Sequence, residues 1–287
     1  MSLPPVYKGA HLAVHNPAHY MVLSGKVAIV SGASGAIGSA TCRALAARGV
    51  KLALAALPDA LLDAIAQEAA RSGAGAVAVP TDIRSRADID RLVAKTLEEF
   101  GRVDILVNVA GVGSSPSLCD STDEELERVI AINLLGAARL MHAALPAMKA
   151  QGSGSIVNIG SVAGEAAVMG IYSASKFGLR GLNDSIRREV RSFGVAVTLI
   201  EPGFIRTAMN AAMTNHLPGP EVVADAIVDA IRRPRRRRIV PLNYVWPVML
   251  VKVFPGFTDR VFGNARIQKR LNRDARAARK AGVGETS

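Results

Sequence analysis

The chain reads as an α/β protein, a doubly wound parallel sheet in one domain with helices on both faces, and three observations predict it. Short β-branched runs alternate with helix-period segments along most of the sequence. The first of these runs passes through a glycine-rich turn straight into a helical stretch, the junction expected of a strand feeding a helix in a parallel sheet. No internal repeat or low-complexity linker divides the 287 residues, which suffice to bury one large core.

The elements follow in order. Lys26–Val30 is a short apolar strand bounded by turn formers, and Ser39–Arg48 is its helix. Val50–Ala56 is a second strand. Leu61–Arg71 continues as a helix, Ala76–Val79 as a third strand and Ala87–Phe100 as a third helix. Val103–Val107, Ser155–Gly160 and Val195–Ile200 complete the strands, with helices at Asp123–Ala150, Tyr172–Phe193 and Glu221–Arg232. Cys42 and Cys119 provide no disulfide framework, and Cys42 falls on the core face of its helix; a reducing cytoplasm is the expected location. Residues 1–22 form an amino-terminal arm without a basic segment followed by an apolar core, so no secretion signal is expected. His11, His15 and His19 recur every four residues, but Pro17 interrupts any helix and no Cys or acid joins them, so no metal site is expected there.

Two clusters carry chemistry. Between the first strand and helix lie Gly32, Ser34, Gly35, Ala36, Ile37 and Gly38. Glycine lets a backbone approach a phosphate closely, and the free N–H groups of a helix start favour its negative charge, so this junction suits a dinucleotide pyrophosphate. Downstream, Tyr172 and Lys176 are four residues apart, which on a helix puts phenol and ammonium on one face. A nearby ammonium favours the phenolate, so a lowered tyrosine pKa and proton exchange with an alcohol near neutral pH are expected.

With Asn108-Val109-Ala110-Gly111 after the fourth apolar run, Asn133 in Ile-Asn-Leu-Leu-Gly, Ser161 at the end of the fifth run, and Pro202-Gly203 followed by Thr207, the motifs occur in one order. In that order the chain resembles the short-chain dehydrogenase/reductase family from about Leu23 to Pro241. The resemblance implies a Rossmann fold and hydride transfer between a nicotinamide and a carbonyl or alcohol. It implies Tyr172 as general acid or base, Lys176 as the group that lowers its pKa and binds the nicotinamide ribose, Ser161 as the hydroxyl that polarises the substrate oxygen, and Asn133 as the holder of a relay water. It further implies cofactor contacts at Asp82 and Ile83, at Asn108, Ala110 and Gly111, and at Pro202, Gly203, Ile205 and Thr207. In relatives the helices from Asp123 and Tyr172 pair subunits, which implies a homodimer or homotetramer.

The chain also departs from the family. Its middle glycine is Gly35, with Ala36 where glycine is usual, and Val109 replaces the second Asn of the Asn-Asn-Ala-Gly motif. Ser161 precedes Tyr172 by eleven residues, a shortened loop. At the end of the second strand, where NAD-preferring relatives place an acid for the ribose 2′-hydroxyl, stand Ala55, Ala56 and Leu57. Asp59 follows Pro58 and suits a helix N-terminus. Without an acid to repel a 2′-phosphate the balance favours NADP over NAD, with Arg84 as a candidate phosphate partner.

Substrate contacts are expected from the shortened loop, at Val168 and Met169, and from a lid at about 207–220 carrying Met209, Met213 and Leu217. Such a lining suits a hydrophobic ketone, aldehyde or alcohol: steroid-like, retinoid-like or long-chain. A carrier-protein- or coenzyme-A-linked 3-oxoacyl reductase would use the same reacting groups, and a catalytically idle nucleotide-binding scaffold is a further alternative.

Charge is concentrated at one end. Residues 1–231 carry 20 Lys and Arg against 21 Asp and Glu, whereas residues 232–287 carry 15 against 3. That segment holds an arginine run, Arg235–Arg238, then a carboxyl-terminal extension, 242–287, that is apolar and aromatic before it turns basic, with a polar helix expected from about Asn264 to Ala281. Pro247 and Pro255 break the apolar part, so it is too short to span a bilayer. Peripheral contact with an anionic membrane is one reading. Packing over the substrate cleft or a neighbouring subunit, with solvated arginines, is another. Nucleic acid is not expected, because no aromatic residue interrupts the arginine run as a stacking platform.

Overall fold

A computed structural model describes residues 20–114, 117–207, 216–264 and 267. His11, His15, His19, Met209 and Met213, and nearly all of the helix expected from Asn264 to Ala281, lie outside these residues.

Seven parallel strands form one sheet in the order β3-β2-β1-β4-β5-β6-β7. They are β1 (Val27–Ser31), β2 (Lys51–Ala56), β3 (Ala76–Pro80), β4 (Ile105–Asn108), β5 (Gly154–Ile159), β6 (Val195–Pro202) and β7 (Arg237–Val240). Between them run α1 (Ala36–Ala46), α2 (Ala60–Arg71), α3 (Arg86–Phe100), α4 (Asp123–Ile130), α5 (Ala137–Gln151), α6 (Ala163–Ala166), α7 (Gly170–Glu189) and α8 (Glu221–Arg232). After β7 come α9 (Val245–Val253) and α10 (Pro255–Phe262).

The central strands are buried on both faces, which is why they read as unbroken apolar runs and not as alternations. One apolar cluster joins the sheet to α1, α2 and α8 through Leu45, Leu62, Ile65, Ile227 and Ile231. The other joins it to α3 and α5 through Ile89, Leu92, Leu140, Met141 and Met148. Helix ends are capped by short polar side chains: Asp59, Ser85 and Thr122 accept from Leu62, Asp88 and Glu125 N–H groups. Cys42 is buried in the first cluster, and burial pushes its thiol up to about 12.

Two local features were not expected. The long helix from Asp123 is interrupted at Ala131–Gly136 by a wide π turn that carries Asn133. The arginine run, moreover, is not a solvated string of charges. Arg237 and Arg238 belong to β7, which pairs in register with β6. Arg236 holds Asp184 of α7 at 2.6 and 3.0 Å, Arg238 pairs with Asp229 of α8, and Arg237 reaches Glu201 of β6 and Glu165 of α6. These three guanidinium groups close the sheet edge onto acids from three helices and one strand.

Chain order reverses between β1 and β4: β2 and β3 lie on one side of β1, β4 to β7 on the other. Side chains and turns at the carboxyl ends of β1 and β4 therefore face a crevice, the place where open parallel sheets take their ligands.

Candidate active site

The crevice is floored by the turn after β1. Gly32 has φ +65°, and a Cβ there would lie 2.8 Å from the Ala110 backbone, so two loops approach more closely than any other residue permits. A methyl on Gly38 would overlap the Gly32 carbonyl oxygen. Gly35 is different: its φ is −70°, and the nearest atom to a Cβ would be 3.4 Å away. Gly35 is the amino-terminal cap of α1, and Ala36 and Ile37 open the helix. Ser31, which the motif reading passed over, ties β1 to the end of β4: its Oγ accepts from Val109 N at 3.2 Å and Ala110 N at 3.4 Å.

Beyond this floor stands a connected set of polar side chains. Asn133 accepts from Val112 N (2.8 Å) and donates to Val112 O (2.9 Å) and to Ser175 Oγ (3.1 Å). Ser175 in turn donates to the Tyr172 carbonyl at 2.7 Å. Lys176 Nζ donates to the Ile159 carbonyl at 2.9 Å and lies 5.8 Å from the Tyr172 ring centroid. Gly111 completes the junction, since a Cβ on it would stand 3.2 Å from both Asn133 Oδ1 and Lys176 Nζ. Asn108 donates to Asn158 at 2.7 Å, and Asn158 to Asn183 at 3.0 Å; Asn108 Oδ1 itself is buried without a partner among the described residues. Asn158 and Asn183 gave no motif signal, because a buried amide in a strand or helix is recognisable only once its partner is known.

Ser161 lies two residues after β5, and its Oγ accepts from Ala163 N at 3.1 Å. The Ser161 hydroxyl faces Tyr172 closely enough to favour the phenolate. This structure corrects one expectation. The Tyr172 phenol is raised, not lowered, because burial outweighs the influence of the Ser161 hydroxyl. The ammonium meant to lower it is itself desolvated, and burial pushes Lys176 down to about 8. One turn of helix brings the groups to the same face, but the ammonium spends a hydrogen bond on the Ile159 carbonyl.

A stability effect follows from Lys176. Its folded-state pKa lies below the unfolded value of about 10.4, so the unfolded chain binds more protons between those values and stability rises with pH across that window. Burial also raises Cys42 and Tyr172, so the difference between wild type and Lys176→Met is the informative quantity. Chemical denaturation at pH 7 and pH 10.5 should show wild type gaining on the variant by about 3 kcal/mol. No relative gain would mean that Lys176 is solvated.

The adenine side is partly committed to internal bonds. Asp59 caps α2 through Leu62 N at 2.7 Å, so its carboxylate is not free at the end of β2. Asp82 takes the Arg84 guanidinium at 2.7–3.0 Å, a bond that lowers the carboxyl and engages the cation proposed for a 2′-phosphate. Ile83 is buried against Gly136.

Pro202 and Gly203 end β6 beside the Ser161 loop, with Val162 N donating to Pro202 O at 3.0 Å. Gly203 is covered by the Tyr244 ring, a contact from the carboxyl-terminal segment that no motif announced. Ile205 points into the core, Thr207 and Leu217 are half-buried, and Arg206 N donates to Pro218 O at 2.9 Å. Val168 and Met169 are half-buried between α6 and α7, and Met169 N shares a 3.0 Å bond with Ser173 Oγ.

The residues fit a dinucleotide: a glycine turn folded tightly onto the first turn of α1 at Gly38, a close loop approach at Gly32, and a buried amide oxygen left open at Asn108. Comparisons with known proteins agree. Residues 26–218 match the family described as short chain dehydrogenase. An uncharacterized oxidoreductase of Staphylococcus haemolyticus is 35% identical over 217 residues, covering 74% of this chain and 93% of that protein. A 3-oxoacyl-[acyl-carrier-protein] reductase of Synechocystis is 39% identical over 190 residues, 65% of this chain and 77% of the relative. The crystal structure of a short chain dehydrogenase/reductase from Burkholderia phymatum in complex with NAD superposes with a TM-score of 0.78 at 27% identity, covering 83% of this chain and 96% of that one. With this crevice, these polar groups and these relatives, the chain belongs to the short chain dehydrogenase family, an oxidoreductase acting on CH–OH or C=O groups with NAD(P).

Proposed function

We propose that the protein reduces or oxidises a hydrophobic carbonyl–alcohol pair, with NADP as the preferred dinucleotide and with Tyr172, Ser161, Lys176 and Asn133 as the working side chains. The observation that carries the assignment of these groups is their convergence. Ser161 stands close enough to Tyr172 to favour its phenolate, while Lys176 and Asn133 meet at Gly111, beside the glycine turn.

The dinucleotide would be held by Gly32, Ser34–Gly38, Asn108, Ala110, Gly111 and the Pro202–Thr207 segment. When bound, it supplies or accepts the hydride. Tyr172 gives a proton to the substrate oxygen in reduction and takes it back in oxidation. The Ser161 hydroxyl donates to the same oxygen as its charge develops. Lys176 restores the phenol proton balance and holds the nicotinamide ribose, while Asn133 keeps its end of the path hydrated. Its place on a π turn supports this role, since such turns recur at functional sites.

Support for NADP comes from the end of β2: Ala56 is buried, Leu57 is exposed and the Asp59 carboxylate is spent on its helix cap, so no acid there opposes a 2′-phosphate. Arg84 would have to leave Asp82 to bind that phosphate. A homodimer or homotetramer in the cytoplasm is part of the same reading, with Leu135 and Phe177 as exposed apolar residues on the π turn and α7. A carrier-linked 3-oxoacyl substrate is favoured by the Synechocystis relative.

Thermal denaturation with NADP⁺ and NAD⁺ in parallel tests the cofactor, because a ligand of the folded state alone raises its stability by mass action. A larger shift with NADP⁺ at equal concentration is expected. A shift with NAD⁺ alone would reverse the preference, and none with either would reject the nucleotide site. Turnover should then be found among apolar ketones, aldehydes or alcohols. Activity confined to small polar sugars would sink the hydrophobic reading, and salt-sensitive activity confined to carrier-bound 3-oxoacyl groups would replace it.

A further inference from the structure

The carboxyl-terminal helices present their apolar side outward. Leu242, Trp246, Met249, Leu250 and Val253 fall on one helical stripe, at the spacing by which helices normally face a core, yet each is 47–81% exposed. Phe254 and Phe257 extend the stripe onto α10, both more than half exposed. The helix is not waiting to turn inward. Its opposite face is already used: Val248 is buried, and Lys252 is ion-paired with Glu165 of α6. One apolar face thus stays open after the other has docked, larger than the scattered exposed residues of an ordinary surface.

We propose that this stripe seats on an anionic lipid surface, with α9 and α10 lying in the plane of the interface. The charge of the chain that follows selects this occupant. Residues 265–287 contain seven Lys and Arg against one Asp and one Glu. An aromatic and aliphatic face continued by a cationic segment is complementary to a bilayer with acidic headgroups. A second copy of the chain would bring the same excess of positive charge against itself, which opposes a symmetric contact. The ion pair to Glu165 places the seated helix against α6, four residues beyond Ser161, so the lipid surface would abut the loop beside the candidate active site. A poorly soluble substrate could then pass between bilayer and enzyme.

Trp246 is the sole tryptophan of the chain and 81% exposed, so its fluorescence reports this position alone. Full-length protein should show a blue shift in emission with phosphatidylcholine vesicles containing phosphatidylserine, and should co-float with them. Both signals should weaken with added salt and be much smaller with phosphatidylcholine alone. Trp246→Phe/Leu250→Glu/Val253→Glu changes exposed positions only. It should retain its circular dichroism and thermal midpoint while partitioning at least ~10-fold more weakly, the order expected from losing buried apolar side chains. Absence of flotation with anionic vesicles overturns the proposal, as does equal partitioning of the variant. If the tryptophan is already blue-shifted in buffer, a concentration-dependent shift would assign the stripe to a second copy. A concentration-independent one would assign it to another segment of this chain, and either would overturn the lipid assignment.

Discussion

Tyr172→Phe is expected to lower kcat by about 10³-fold, within the 10²–10⁴ range of a positioned proton donor, while leaving the nucleotide-induced thermal shift almost unchanged. The substitution removes a single oxygen. The ring is buried between Ser161 and Lys176 and keeps its shape and packing, so the cradle at Gly32 and Gly38 is not disturbed. What goes is the proton that must travel to or from the substrate oxygen. Because burial raises this phenol in the free protein, its proton is firmly held near neutral pH, the state required for donation in reduction. Oxidation needs the opposite state and so depends on a change in the surroundings of Tyr172. The substituted enzyme should therefore lose both directions, with the fold checked by circular dichroism. Turnover within a few-fold of wild type would show that another group moves the proton and would remove Tyr172 from the mechanism.

Much of this site was legible because its signals are local. Apolar runs flanked by turn formers marked β1, β2, β4, β5 and β6, since a strand buried on both faces is mostly apolar, its few polar residues each needing a partner. Asp59 was readable as a helix-start acid because a cap depends only on its next three residues. Long-range pairing was not readable. The arginine run looked solvated because its partners Glu165, Asp184, Glu201 and Asp229 are up to 72 positions away, and only the register of β7 on β6 brings them together. The Tyr172–Lys176 spacing gave the shared face but not the balance between charge and desolvation, which depends on everything packed above the pair. Tyr244 over Gly203 was hidden for the same reason.

The glycine turn provides the sharpest contrast between pattern and requirement. By spacing, Gly32, Gly35 and Gly38 look equivalent, and the displaced middle glycine raises the question of which ones matter. Their surroundings answer it. Gly38 sits in the first turn of α1 with the Gly32 carbonyl directly against its Cα hydrogen, and that carbonyl already accepts from Gly35 N at 3.1 Å. A methyl at Gly38 must push this peptide aside, and the atoms displaced are backbone, which cannot rotate away as a side chain would. The turn itself then moves, and Gly32, at φ +65° and against Ala110, has no room to absorb the shift. Overpacking of this kind costs about 1–3 kcal/mol, so Gly38→Ala should weaken NADP⁺ and NAD⁺ binding by about 10- to 100-fold in titration calorimetry. Gly35→Ala should change either affinity less than about threefold, because its backbone is extended and a methyl meets only ordinary van der Waals contact. Equal losses in the two variants would mean that the bound nucleotide presses on Gly35 as closely as the turn presses on Gly38. Unchanged binding in Gly38→Ala would mean that this turn does not shape the phosphate site, and the dinucleotide would have to be held elsewhere along the crevice.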